Sequence, residues 1–203
     1  MAKIIPDNRP NISLDYAREI LDRLGAKDAT IRLVGIRGYW KRTMGDPLKN
    51  DRRMYDDALA VVLRDRVVTF NFNTDPNGWR KGHGKGGVKG MATLVEGLYE
   101  SWCMGKHKGQ YWALVQTGGE VLVRRDADAS VPEKDIVEVD GEKFYEESGY
   151  FGINIHRGGV SGTSSLGCQT VPPGQYDEFQ KLVYAEMKKA GMKKIQYGLV
   201  LYK

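Results

Sequence analysis

GINIHRGGVSGTSSLGCQTVPP, residues Gly152 to Pro173, packs three elements into one stretch. Phe151 to Ile155 reads as a short strand that hands over to His156. A loop of Gly, Ser and Thr follows, and Cys168 stands directly after Gly167. Pro172 and Pro173 then open a helix, because proline fits the first helical turn, where its missing N–H would be unpaired anyway. Tyr176, Phe179, Leu182, Val183 and Met187 fall on one face of that helix, and Gly191 ends it. A further strand, Ile195 to Tyr202, follows.

Upstream, residues 11–24 read as an N-terminal helix. Ser13 is its N-cap, Asp15 adds charge to the first turn, and Gly25 stops it. Most of the remainder is strand-like. Thr30 to Ile36 is β-branched and apolar. Leu59 to Leu63 and Val67 to Phe72 flank a turn at Arg64-Asp65-Arg66. Tyr111 to Gln116 and Glu120 to Arg124 flank Gly118-Gly119, which predicts a second hairpin. Ile136 to Val139 and Glu142 to Tyr145 flank Asp140-Gly141, a third. An early helix, many strands, a late helix and a last strand predict an α+β domain with an antiparallel or mixed sheet, not an alternating doubly wound fold.

The 203 residues predict a single domain, 1–203. A chain this long buries about 70% of its unfolded surface and needs no disulfide or metal staple. With 41% hydrophobic and 28% charged residues the chain is expected to fold rather than stay disordered. No apolar run reaches the length of a transmembrane segment. The N-terminal stretch lacks a secretory pattern, so the protein is expected in the cytoplasm where it is made. A net charge of +5 favours polyanionic partners, among them anionic cell wall and nucleic acid. Residues 75–90 form a basic glycine-rich loop carrying Arg80, Lys81, Lys85 and Lys89. It is expected to border a cleft and to move.

The chemistry concentrates on His156 and Cys168. A thiol attacks as thiolate, and an imidazole can take its proton and stabilise the pair. A glycine before the nucleophile lets backbone amides converge on a developing oxyanion. Each residue also has an ordinary reading: a strand-end histidine is commonly a satisfied core or surface group, and a lone cysteine a small apolar one.

Ile155-His156-Arg157-Gly158 followed by Ser165-Leu166-Gly167-Cys168 resembles the signature of the L,D-transpeptidase (YkuD-type) family, over about the last third of the chain. The resemblance implies a β-sandwich-like catalytic domain acting on peptidoglycan stem peptides, with no cofactor and no metal. It makes Cys168 the nucleophile, His156 the base, and the amides of Gly167 and Cys168 the oxyanion donors. Ser165 would support the loop. The spacer between His156 and Cys168 is shorter than the family's. Leu166 stands where the family has a second histidine, and Gln169-Thr170 replaces an apolar–Arg pair. The pattern is similar to a divergent bacteriophage branch. That implies a cysteine peptidase of the wall, an endolysin held in the host cytoplasm until lysis, with transpeptidation or a non-catalytic wall-binding role as alternatives. Arg157 is expected to replace the missing arginine by binding a stem-peptide carboxylate, or to pair with Asp177 or Glu178. Thr170 and His107 are further candidates for the substrate cleft.

Three other groups carry less. Cys103 and His107, joined by Cys168 and His156, have the residue types of a zinc site but lack a zinc-binding spacing. Gly35 to Trp40 combines aromatics with Arg37, as single-stranded nucleic-acid binders do, and reads better as core or cleft wall; no specific nucleic acid is expected. Asp56-Asp57 is read as a solvated turn, and His83 as a solvated loop residue.

Overall fold

The computed structural model describes residues 3–40, 51–84, 87–139 and 141–202. Among them are two α-helices and twelve strands: α1 (Leu14–Arg23), β1 (Ile31–Arg37), β2 (Asp57–Leu63), β3 (Val67–Phe72), β4 (Ala92–Leu94), β5 (Gly97–His107), β6 (Tyr111–Gln116), β7 (Val121–Asp126), β8 (Val137–Val139), β9 (Glu142–Gly149), β10 (Ile155–Arg157), β11 (Gln169–Val171), α2 (Pro173–Lys189) and β12 (Lys194–Leu201). No helix among the described residues is long and apolar enough to cross a membrane.

The architecture is α+β. Eight strands form one mixed sheet in the order β11-β10-β6-β5-β12-β1-β2-β3, and four form an antiparallel sheet, β4-β7-β9-β8. The large sheet curls until its two edges meet. Asn73, just past β3, exchanges both backbone hydrogen bonds with Thr170 of β11, each 2.9 Å. That contact nearly closes a barrel and hides two edges that would otherwise offer unpaired backbone.

The helices serve opposite faces of this sheet. Ser13 caps α1 by accepting the Tyr16 amide at 3.2 Å. Ala17, Ile20 and Leu21 of α1 pack on Val34, Ile36, Ala58, Ala60 and Val62. The helix α2 lays Tyr176, Phe179, Val183 and Met187 into the main core with Leu33, Leu59, Phe70, Trp102, Leu114 and Ile155. The small sheet shares that core through Leu94, Val121 and Val123.

Several expectations need correction. Gly118-Gly119 does not close a hairpin. Both edges of β6 are taken, by β5 and β10, so the chain leaves for the small sheet, where β7 pairs with β4 and β9. The strand expected at Phe151 to Ile155 begins only at Ile155 and runs to Arg157. The eleven-residue β5 was not anticipated, because Gly97, Glu100, Gly105 and Lys106 dilute its β-pattern. Asp56 and Asp57 are not a solvated turn but are buried, with Asp57 opening β2. His83 is half-buried, its ring edge-on to Tyr145 at 5.1 Å. The turn between β8 and β9 contains Asp140, which lies outside the described residues.

The basic loop is tied down over its described length. Asp126 accepts from the amide of Arg80 through its carboxylate and from that of Gly82 through its carbonyl, and the Gly90 amide reaches the Gly82 carbonyl. Lys89 pairs with Glu147. Lys85 lies outside the described residues.

Candidate active site around His156 and Cys168

Four strands deliver the site. In β10, Ile155 faces the α2 core, so the alternation of a strand turns Asn154 and His156 to the other face. The neighbouring β11 runs parallel, with His156 opposite Thr170, and the Gln169 amide donates to the Asn154 carbonyl at 2.8 Å. Cys168 therefore lies beside Asn154, one strand over from His156. On the other side, β6 and β5 end in the pair Tyr111 and His107, joined by a turn through Lys108.

His156 is 4% exposed, and its Nδ1 lies 2.7 Å from the backbone carbonyl of Arg157. A carbonyl oxygen only accepts, so Nδ1 carries the proton and Nε2 keeps its lone pair for use as a base. The Tyr111 hydroxyl closes the same corner, 3.2 Å from Nδ1 and donating to the Arg157 carbonyl at 3.4 Å. Behind His156, the His107 ring lies stacked at 4.0 Å between centroids. Asn154 fixes His107, with its Nδ2 3.0 Å from the His107 Nδ1, while its Oδ1 accepts the Gln116 amide at 2.9 Å.

Burial pushes the His156 imidazole down to about 4, helped by His107 and Lys108 and opposed by the Arg157 carbonyl. Burial pushes the Cys168 thiol up, opposed by the Asn154 amide and the Lys108 charge. Both groups are thus neutral at neutral pH, and the thiol donates to the Gly152 carbonyl at 3.2 Å. Lys108 acts on both groups in the same sense: it disfavours imidazolium and favours thiolate. Cys168 in turn helps raise Tyr111, which places it within electrostatic reach of the hydroxyl that touches His156.

The loop carrying Cys168 is held from within and from outside. Ser165 Oγ accepts the Gly167 amide at 3.0 Å and donates to the Cys168 carbonyl. Gly167 has φ +142°, and a Cβ there would stand 2.7 Å from the Ala92 carbonyl, so only glycine fits. From outside, Asn77 donates its amide to the Ser165 carbonyl at 2.7 Å and accepts the Thr163 amide at 2.9 Å through Oδ1. The Tyr55 hydroxyl donates to the Gly159 carbonyl at 2.8 Å.

The remaining candidates fall differently. The Gly167 amide is engaged by Ser165, which leaves Cys168 as the amide nearest the sulfur without an acceptor among the described residues. Thr170 is fully buried, and its expected place in a substrate cleft is corrected: its backbone closes the barrel on Asn73 and its side chain lies beneath Gly158. Arg157 is exposed and stacks over the Tyr111 ring at 5.3 Å. It forms no ion pair with Glu178, which instead takes both guanidinium nitrogens of Arg9. Leu166 is 69% exposed at the mouth of the loop. No group of three or more metal-ligating side chains comes together among the described residues.

Tyr111, Asn154, Lys108 and Asn77 were not singled out by sequence reasoning. The spacing of Asn154 and His156, two apart in a strand, was the available signal. The others are brought in by strand pairing and loop docking. Compared with protein-family models, curated proteins and solved structures, the chain matches none of them.

Proposed function

We propose that the protein is a cysteine-dependent peptidase of peptidoglycan stem peptides, of L,D-carboxypeptidase or endopeptidase type, serving a phage as an endolysin. One observation carries this reading. A histidine whose Nδ1 proton is held by a backbone carbonyl sits on the strand next to a half-buried cysteine, under a tyrosine that touches one and feels the other. The substrate class rests on the resemblance of the Ile155 to Cys168 segment to L,D-transpeptidases.

The chemistry balances with these groups alone. Nε2 of His156 takes the thiol proton as Sγ attacks a peptide carbonyl carbon. The resulting oxyanion is met by the Cys168 amide. Collapse breaks the C–N bond, and the imidazolium returns the proton to the leaving amine. Water, deprotonated by the same nitrogen, then cleaves the thioester and restores the thiol. Because both groups start neutral, charge separates only during attack, where Lys108 steadies the sulfur.

A second reading, a non-catalytic wall-binding module on the same fold, is favoured by one feature: the resting thiol donates to Gly152 rather than to an imidazole. Incubation with purified peptidoglycan sacculi and mass analysis of the soluble fragments separates the two. Release of peptides cut at one defined bond supports the peptidase. Binding to sacculi without release supports the module.

A further inference from the structure

One recess of the described residues lies away from Cys168. A cavity of about 740 Å³ lies between the outer face of the four-stranded sheet and the edge formed by α1 and the end of β12. It is reached at the Gly97 end of β5, whereas His107 ends that strand at the catalytic face. Its size lies within the roughly 300–1,000 Å³ typical of small-ligand sites.

Its chemistry is specific. On β7, Arg124 and Asp126 share one face, two residues and so about 7 Å apart. At the Asp126 end, Arg52 makes a two-pronged ion pair with the carboxylate, at 2.9 and 2.6 Å, and lies 3.5 Å over the Trp79 ring. Trp79 remains 54% exposed and lines the recess beside Arg52, which covers one face of its ring. At the Arg124 end, the Glu96 carboxylate is shared by Arg37 and Arg124 and stays partly accessible. Phe144 adds a second aromatic wall.

The charges in this recess are already balanced. Arg52 is neutralised by Asp126, Arg37 by Glu96 and Asp75, and Arg124 by Glu96 and Glu146. A phosphate or carboxylate ligand would have to displace these carboxylates. A neutral polyhydroxylated ring does not: its C–H face stacks on the exposed part of the Trp79 indole, and its hydroxyls donate to Glu96 and accept from Arg124. We propose that this recess is a binding site for a neutral oligosaccharide, with Trp79 as the stacking platform and the Glu96–Arg124 pair as the hydroxyl-reading group. The inference rests on the recess alone and stands apart from the role of Cys168.

The test uses the full chain and calorimetric titration with the tetramer of N-acetylglucosamine and, separately, with the tetramer of glucose. Saturable binding of either sugar is expected, weakened by about tenfold or more in Trp79→Ala and largely kept in Trp79→Phe, which retains a ring. Circular dichroism checks that each variant is folded. Binding of neither sugar, binding indifferent to Trp79→Ala, or preferential binding of a sulfated tetrasaccharide would each overturn the proposal. Failure of sacculus digestion by the wild-type chain would leave this result untouched.

Discussion

His107 lies almost flat against His156, with the ring planes 21° apart and the centroids 4.0 Å apart. Two imidazoles this close cannot both take a proton without strong repulsion, and His156 is the more deeply buried of the two.

Histidine titration followed by NMR therefore gives the first prediction. His156 should protonate only near pH 4 in the wild type. In His107→Phe, which keeps the stacked ring but removes the charge, its titration should move up toward the ordinary 6.5. The sign carries over to stability. Because the folded value lies below the ordinary one, the contribution of His156 is complete above about pH 6.5 and is lost as the pH falls toward 4. A His156 that titrates unchanged in the variant would show that burial alone sets its basicity.

Alkylation of Cys168 tests the resting state of the thiol. Burial holds it protonated, so iodoacetamide should modify it more slowly at pH 7 than it modifies free cysteine, with the rate rising on the alkaline side. Lys108→Met should slow it further, since that charge favours the thiolate. Fast alkylation at pH 7 would mean that an ion pair already exists at rest.

Asn77 should matter without touching substrate. Asn77→Ala removes the acceptor that holds Thr163 and is expected to cost about 1–2 kcal/mol of stability, read by denaturant unfolding. Sacculus digestion should fall by more than that loss of folded protein explains, because the Cys168 loop loses its outer clamp. Asn77→Asp keeps an oxygen at Oδ1 and should restore most of the activity. Equal activity in all three proteins would reduce Asn77 to a plain loop contact.

Asp56 has no hydrogen-bond partner for either carboxylate oxygen among the described residues, and burial beside Asp57 and Asp75 pushes its carboxyl far above the usual range. The folded state keeps it protonated. Its contribution is complete below the ordinary carboxylate range and declines as the pH rises from there toward the raised value. Asp56→Asn should remove this dependence and stabilise the protein by on the order of 1–3 kcal/mol at about pH 8, with the gain shrinking toward pH 4. A thermal melt series across pH reads it, and a destabilised variant at pH 8 would show the carboxylate to be ionised and satisfied.

The sequence showed its structure unevenly, for physical reasons. Ser13 as a cap, Pro173 and Gly191 at the ends of α2, and the β2–β3 hairpin are set by neighbours in the chain, and they read directly. The strand β5 did not, because Gly97, Glu100, Gly105 and Lys106 look like loop and a register irregularity opposite Ile195 to Tyr197 breaks its alternation. The Gly118-Gly119 turn looked like a hairpin because a turn is local, whereas the choice of partner strand is made by the edges left free elsewhere. In the candidate site, His156, Cys168 and Ser165 could be grouped from sequence because they share one stretch. Tyr111 and Asn77 were not, since the pairing of β6 with β10 and the docking of the glycine-rich loop bring them in from far along the chain. Thr170 read as a cleft residue from its nearness to Cys168, yet barrel closure seals it.

The central claim is that Cys168 forms a covalent bond with its substrate. The direct measurement is intact-protein and peptide mass spectrometry after acid quenching of a reaction with a peptidoglycan stem tetrapeptide. The account predicts an acyl adduct confined to the peptide containing Cys168, absent in Cys168→Ala and accumulating more slowly in His156→Ala. A folded Cys168→Ala protein that cleaves the same peptide at the wild-type rate, with no adduct on the wild type, would contradict it.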